Sequence, residues 1–296
     1  YDAGQPPARR HIIFSVSKSL TGAAAGIAVD RGLLDPDAPV TTYVPEAEGF
    51  AYGDATVRHV LDMTVSIDFD EAYATPDEKF LNYRKAMGWN PSDGSSDLHD
   101  LRSFLVTLAK GDGEHGERFH YVSPNSDMLG WILERATGRH FVDFFADEVW
   151  QKMGAGHDAL MTVDRLGAPR TAGGFCVTTP DLARFGEMMR CRGAVNGIQI
   201  IPGWWVDDIV HGGSLDAWAQ GNLATSMPGG SYRSKWYKPN DGRGSFFGIG
   251  IHGQCVYVDQ ASDVVIARHA SQPEASTDEG EGSMIRACAA IARYLG

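Results

Sequence analysis

Residues 15–29 constrain this chain more than any other stretch. Ser15-Val16-Ser17-Lys18 sets a hydroxyl and an amine three residues apart, and a run of small and apolar residues, Ser19-Leu20-Thr21-Gly22-Ala23-Ala24-Ala25-Gly26-Ile27-Ala28-Val29, follows with a helical look. Positions i and i+3 share one helix face, so Ser15 Oγ and Lys18 Nζ can meet. The small residues let such a helix pack close to a sheet, and the apolar Ile12-Ile13-Phe14 precedes it. A serine hydroxyl keeps its proton at neutral pH and needs a base to attack a carbonyl. A lysine held neutral by burial or by nearby positive charge can take that proton. A serine opening a helix also gains a backbone N–H suited to an oxyanion. A bare Ser-x-x-Lys also arises by chance as a solvated helix face, so the pattern needs company.

Two further elements supply it. Tyr121-Val122-Ser123 stands on a predicted loop before an amphipathic helix that includes Met128-Leu129-Gly130-Trp131-Ile132-Leu133. A phenol there can carry a proton to a leaving group, and the Ser123 hydroxyl can bond the lysine; a half-buried tyrosine at a turn is the commoner fate of any single Tyr. Near the C-terminus, residues 247–254 read as a glycine-bearing strand running into Cys255-Val256-Tyr257-Val258-Asp259. Asp263-Val264-Val265-Ile266-Ala267-Arg268 reads as its hairpin partner. Glycines inside a strand indicate close approach by another group, a substrate along the strand or a bulge without ligand.

In that order, Ser15-x-x-Lys18, Tyr121-x-Ser123 and the late glycine-rich strand resemble the serine β-lactamase-like hydrolases, the penicillin-recognising fold. Asp35-Pro36-Asp37-Ala38-Pro39-Val40 and Thr171-Ala172-Gly173-Gly174-Phe175 extend the resemblance over nearly the whole chain. Within that superfamily the likeness is greatest to the 6-aminohexanoate-dimer (nylon oligomer) hydrolases. It rests on Phe14-Ser15-Val16-Ser17-Lys18-Ser19, Leu61-Asp62-Met63, Ser66-Ile67-Asp68 and Gly248-Ile249-Gly250-Ile251-His252-Gly253-Gln254.

The resemblance implies roles. Ser15 would be the acyl-enzyme nucleophile, Lys18 its base and Tyr121 the proton donor to the leaving group. Ser123 would hold Lys18 and Tyr121, and the Ser15 and Ile251 N–H groups would form the oxyanion hole. Tyr73 and Trp89 would wall a linear acyl chain, with simple packing as the alternative. Gly250 would lie along the substrate. The implied activity is cleavage of linear amides such as 6-aminohexanoate oligomers, with esters also accepted. A family VIII-type carboxylesterase is the alternative, ahead of a β-lactamase, a D,D-peptidase or a non-catalytic binding protein. Many penicillin-binding relatives carry a cation on the late strand; here the register gives Gly248-Ile249-Gly250, with His252 expected on the face of Gly250. An uncharged strand suits esters and linear amides.

The expected architecture is α/β (α+β). Residues 1–32 and 181–296 form an α/β lobe with an antiparallel sheet flanked by helices, and 33–180 form a mainly helical lobe. Predicted helices cover 57–63, 98–109, 125–136, 141–152 and 284–292, with Gly32, Gly111 and Gly138 as stops. Relatives have a longer leader, so the first strands of the sheet are expected to be missing from this chain. The active site is expected in the cleft between lobes. Trp204-Trp205 and Trp236-Tyr237 could also line a wall.

At 296 residues the chain can bury a sizeable core, and no apolar run is long enough to span a bilayer. A net charge of −12 with no basic stripe argues against nucleic acid and mildly favours cationic substrates. The expected partner is a small amide or ester substrate, with neither nucleic acid nor membrane; a homodimer stays open. The four cysteines, Cys176, Cys191, Cys255 and Cys288, form no Cys-x-x-Cys and read as free buried thiols in a reducing cytoplasm. His115 and His120 lack ligand spacing, so neither metal nor cofactor is expected.

Overall fold

The computed structural model describes residues 6–91, 100–276 and 278–296. Its organising element is helix α1 (Val16–Asp30), whose residues 16–28 are all buried. Two glycines explain how it fits there. A Cβ on Gly22 would lie 2.2 Å from the Ser234 carbonyl oxygen, and one on Gly26 would lie 2.6 Å from the Trp205 ring. The small-residue run thus serves close packing, because any larger side chain on that face would displace backbone or indole.

The sheet beneath α1 has five antiparallel strands: β6 (Ser231–Arg233), β7 (Trp236–Lys238), β8 (Phe246–Gly250), β9 (Gln254–Asp259) and β10 (Val264–Arg268), in the spatial order β10-β9-β8-β7-β6. The preceding strands are β1 (His11–Ile12), β2 (Leu160–Met161) and β3 (Phe175–Val177), joined as a small sheet, and the hairpin β4 (Ala194–Val195) with β5 (Ile198–Gln199). Side chains alternate across a strand. Val256 and Val258 of β9 enter the large core beneath α1 and α7 (Thr179–Arg190), while Cys255 and Tyr257 join a second core under α10 (Asp278–Leu295). The sheet is therefore antiparallel and flanked by helices on both faces, as the sequence predicts.

Between the small sheet's halves runs a helical stretch: α2 (Val57–Leu61), α3 (Glu78–Ala86), α4 (Leu101–Leu105), α5 (Pro124–Thr137) and α6 (Phe141–Phe145). Proline at the first position starts α5, and Gly138 ends it with a left-handed φ of 66°. Helices α8 (Gly203–His211) and α9 (Leu215–Ala219) precede the main sheet.

Four expectations need correction. The helix expected over 98–109 is only α4; residues 98 and 99 lie outside the described residues. Leu108 is buried in the core without being helical, so apolar spacing overstated the helix. Gly111 is not a helix stop, since its missing Cβ accommodates the Ile67 backbone at 3.0 Å. The late strand breaks at Gly250: Ile251–Gly253 form one tight turn, with His252 at φ 61° and Gly253 at φ 87°, and β9 folds back with Gly250 opposite Gln254. The two-residue period stops at that turn, so His252 does not share the face of Gly250. Not all cysteines are buried, as Cys191 is exposed and Cys176 half-buried.

Candidate active site

Ser15 and Ser123 occupy equivalent places, each preceding a helix as its N-cap, and neither hydroxyl caps its own helix. Both are left for other partners. Lys18, one turn into α1, provides them: its Nζ lies 2.8 Å from Ser15 Oγ, 3.0 Å from Ser123 Oγ and 2.8 Å from the Ala172 carbonyl oxygen. An ammonium can donate three hydrogen bonds, and this one is surrounded by three acceptors. A neutral amine has two protons and one lone pair. Ala172 can only accept, and Ser123 accepts as well, as shown below. The lone pair then faces Ser15.

Ser123 is oriented by Glu71. Its backbone N–H donates to Glu71 Oε2 at 2.6 Å and its hydroxyl to Oε1 at 2.8 Å. Having donated to Glu71, the Ser123 hydroxyl accepts from Lys18. The Tyr73 hydroxyl also donates to Glu71. Ala172 is held by another acid: the buried Asp127 on α5 accepts its N–H at 2.9 Å and pairs with Arg170 and Tyr83. Sequence reasoning missed Glu71, Asp127 and Arg170. The only signal was an excursion of acids and aromatics over 68–73.

Burial lowers the Lys18 pKa to about 7; Glu71 opposes that and Arg170 adds to it. Tyr121 moves the other way. Burial, with Glu71 second, pushes its phenol well up, while contact with the Ser15 and Tyr237 hydroxyls pulls it down. Lys18 lies 5.1 Å from the Tyr121 ring centroid, and the Tyr121 and Tyr237 rings stack at 5.9 Å.

Two cavities open beside Ser15. One, of about 290 Å³, is bounded by Tyr73, Trp89, Met87, Arg84, Arg170 and Ile251. The other, of about 340 Å³, is bounded by Tyr121, Tyr237, Asn222, Asp70, Gly250 and Ile251. Every site residue read from the sequence thus borders Ser15 or its cavities, with Lys18 one layer below. Gly250 does so for a reason of space. A Cβ there would lie 2.5 Å from the Ile13 carbonyl and 3.0 Å from the Ser15 nitrogen. The group approaching the glycine strand is therefore the lead-in to α1. Of the other aromatics, Tyr237 lines a cavity, while Trp205 and Trp236 are core.

Residues 6–291 match the Beta-lactamase family model. The chain belongs to that family. It is 41% identical over 283 residues to the 6-aminohexanoate-dimer hydrolase of Paenarthrobacter ureafaciens, covering 95% of this chain and 71% of that protein. A solved structure from Bacillus anthracis, provisionally named a 6-aminohexanoate-dimer hydrolase, superposes with a TM-score of 0.88 at 25% identity. It covers all of this chain and 75% of the other. A family VIII carboxylesterase shares the fold, with a TM-score of 0.68 at 15% identity over 96% of this chain and 84% of that one. The resemblance read from the motifs holds, and the protein is a hydrolase of this family. Among the described residues no cluster of acids, histidines or cysteines is placed to hold a metal, and no helix is long and apolar enough to cross a membrane.

Proposed function

We propose that the protein hydrolyses linear amides, the class to which 6-aminohexanoate oligomers belong, through an acyl-enzyme on Ser15. The observation that carries this reading is the buried Lys18 amine, 2.8 Å from Ser15 Oγ, with its other two partners supplied by Ser123 and Ala172. Neutral Lys18 takes the Ser15 proton as Oγ attacks the amide carbon. The Ser15 and Ile251 N–H groups receive the oxyanion, each such donor contributing about 3 kcal/mol to the transition state. Tyr121 gives its proton to the departing nitrogen and regains one from the Lys18 ammonium. Water then enters, loses a proton to the same pair and attacks the acyl carbon; the C–Oγ bond breaks, Ser15 Oγ takes that proton back, and the acid is released. A phenol raised by burial stays protonated at neutral pH, which suits a donor and leaves Lys18 as the base. The strong identity to a named 6-aminohexanoate-dimer hydrolase supports the amide class.

The test is amine release from 6-aminohexanoate dimer and from an uncharged linear amide of equal length. p-Nitrophenyl acetate runs alongside, with Ser15→Ala as the blank. Ser15-dependent cleavage of amide and ester supports the reading. Cleavage of the ester alone moves the protein to the carboxylesterases.

A further inference from the structure

The two cavities beside Ser15 differ in charge. Among the described residues, the second presents Asp70, Glu71 and Glu281 and no basic residue. The first presents two guanidiniums, Arg84 and Arg170, with Glu71 as the one carboxylate among the described residues. Arg170 is buried and already bound to Asp127 and Tyr83. Glu71 is engaged by Ser123 and Tyr73. Arg84 differs from both: it is half-buried on the cavity-facing side of α3, and among the described residues it makes no ion pair.

The direction of the substrate follows from Tyr121. The leaving nitrogen must face the phenol, and Tyr121 borders the second cavity only. The leaving amine therefore points into the second cavity and the acyl chain into the first. On that basis, which rests on the amide-hydrolase reading above, we infer that Arg84 is a specificity residue selecting linear acyl chains that end in a carboxylate. A guanidinium offers a planar fork that fits a carboxylate in two parallel hydrogen bonds. An acyl chain ending in an ammonium would instead bring like charges together inside a partly desolvated cavity, where repulsion is weakly screened. The class is thus the monoamides of short dicarboxylic acids. The 6-aminohexanoyl chain, with its terminal ammonium, falls among the slower linear substrates.

Three anilides of one chain length separate the possibilities: adipic monoanilide, neutral hexananilide and 6-aminohexananilide. Binding is read by calorimetry on Ser15→Ala, alone and combined with Arg84→Gln or Arg84→Lys. Adipic monoanilide is expected to bind about tenfold or more tighter than 6-aminohexananilide, the scale of one charge-assisted contact. Arg84→Gln should erase that gap, and Arg84→Lys should keep part of it. Equal binding of the charged pair, a gap that survives Arg84→Gln, or no binding by any of the three overturns the inference. Turnover of neutral hexananilide by the enzyme with Ser15 intact is scored separately. Its absence would retract the amide reading, while the anion preference is decided by binding alone.

Discussion

Glu71 accepts both hydrogen-bond donors of Ser123, the backbone N–H at 2.6 Å and the hydroxyl at 2.8 Å. A hydroxyl has one proton, so Ser123 can only accept from Lys18. A carboxylate that touches neither Ser15 nor Lys18 thereby decides which way the lysine lone pair points. It is a positioning residue.

Glu71→Gln tests this through pH. The negative charge of Glu71 raises the Lys18 pKa against the effect of burial. Removing it should move the acid limb of the kcat/KM profile to lower pH than in the wild type. Activity above that limb should fall about tenfold or more as Ser123 loses its fixed orientation. A variant with reduced rate but an unmoved acid limb would mean that Glu71 is merely structural.

Lys18→Met separates charge from packing. Lys18 titrates near 7 in the folded protein and near 10.4 when unfolded. Between those values the unfolded chain binds the extra proton, so stability rises with pH from about 7 to about 10 and is lowest below that window. Methionine fills similar space without charge and should flatten part of the rise. Lys235, also buried with its pKa lowered by desolvation, retains the rest. Melting temperature across this range reads the difference, and activity should drop by about 10²–10⁴. An identical pH slope in the variant would exclude a lowered Lys18.

How much of this was legible in the sequence depends on distance along the chain. Ser15 and Lys18 meet because helical geometry alone fixes positions three apart, and Gly22 and Gly26 announce the close packing of the same helix. Tyr121-x-Ser123 was legible only through the order of motifs shared with the family, since the Lys18–Ser123 contact spans 105 residues. Glu71 and Asp127 stayed hidden. Each acts by accepting from a backbone N–H in another loop, Ser123 or Ala172, and no spacing rule describes a loop path. Arg84 was equally silent, because a charged residue on a short helix normally faces water. The break after Gly250 had a local signal in Gly253, whose positive φ favours glycine, but the apolar alternation on either side outweighed it.

Gly250→Ala and Gly248→Ala form a matched pair. Gly250 has an extended backbone, so alanine meets no conformational strain, only the Ile13 carbonyl at 2.5 Å and the Ser15 nitrogen at 3.0 Å. Both are main chain and cannot rotate away. Gly250→Ala should shift the Ser15 N–H and cost about 10²-fold in kcat, the scale of one oxyanion donor. At Gly248 the new Cβ meets the Ser19 hydroxyl at 2.6 Å, the end of a side chain that bonds the Lys235 carbonyl. That substitution should cost stability of about 1–3 kcal/mol by overpacking, with a smaller loss of rate. Steady-state kinetics and thermal melts on both variants check the contrast, which fails if Gly248→Ala is the more damaging to kcat.

Tyr121→Phe addresses the step that separates amides from esters. An amine leaves only after its nitrogen is protonated, whereas p-nitrophenolate leaves as a stable anion. The phenol of Tyr121, kept protonated by burial and by Glu71 and turned toward Ser15 and Tyr237, stands where that nitrogen would emerge. Phenylalanine keeps the ring over Lys18 and its stack on Tyr237, so the fold and the cavity wall should persist. The expected loss in kcat/KM for a linear amide is about 10²–10⁴, the usual contribution of a positioned general acid. For p-nitrophenyl acetate the acylation step should lose far less. Any ester loss should appear in deacylation, where the same phenol serves the attacking water, and a burst of p-nitrophenolate followed by slow turnover would reveal it. Equal losses for both substrates with no burst would remove Tyr121 from proton delivery and leave it the role of packing against Lys18.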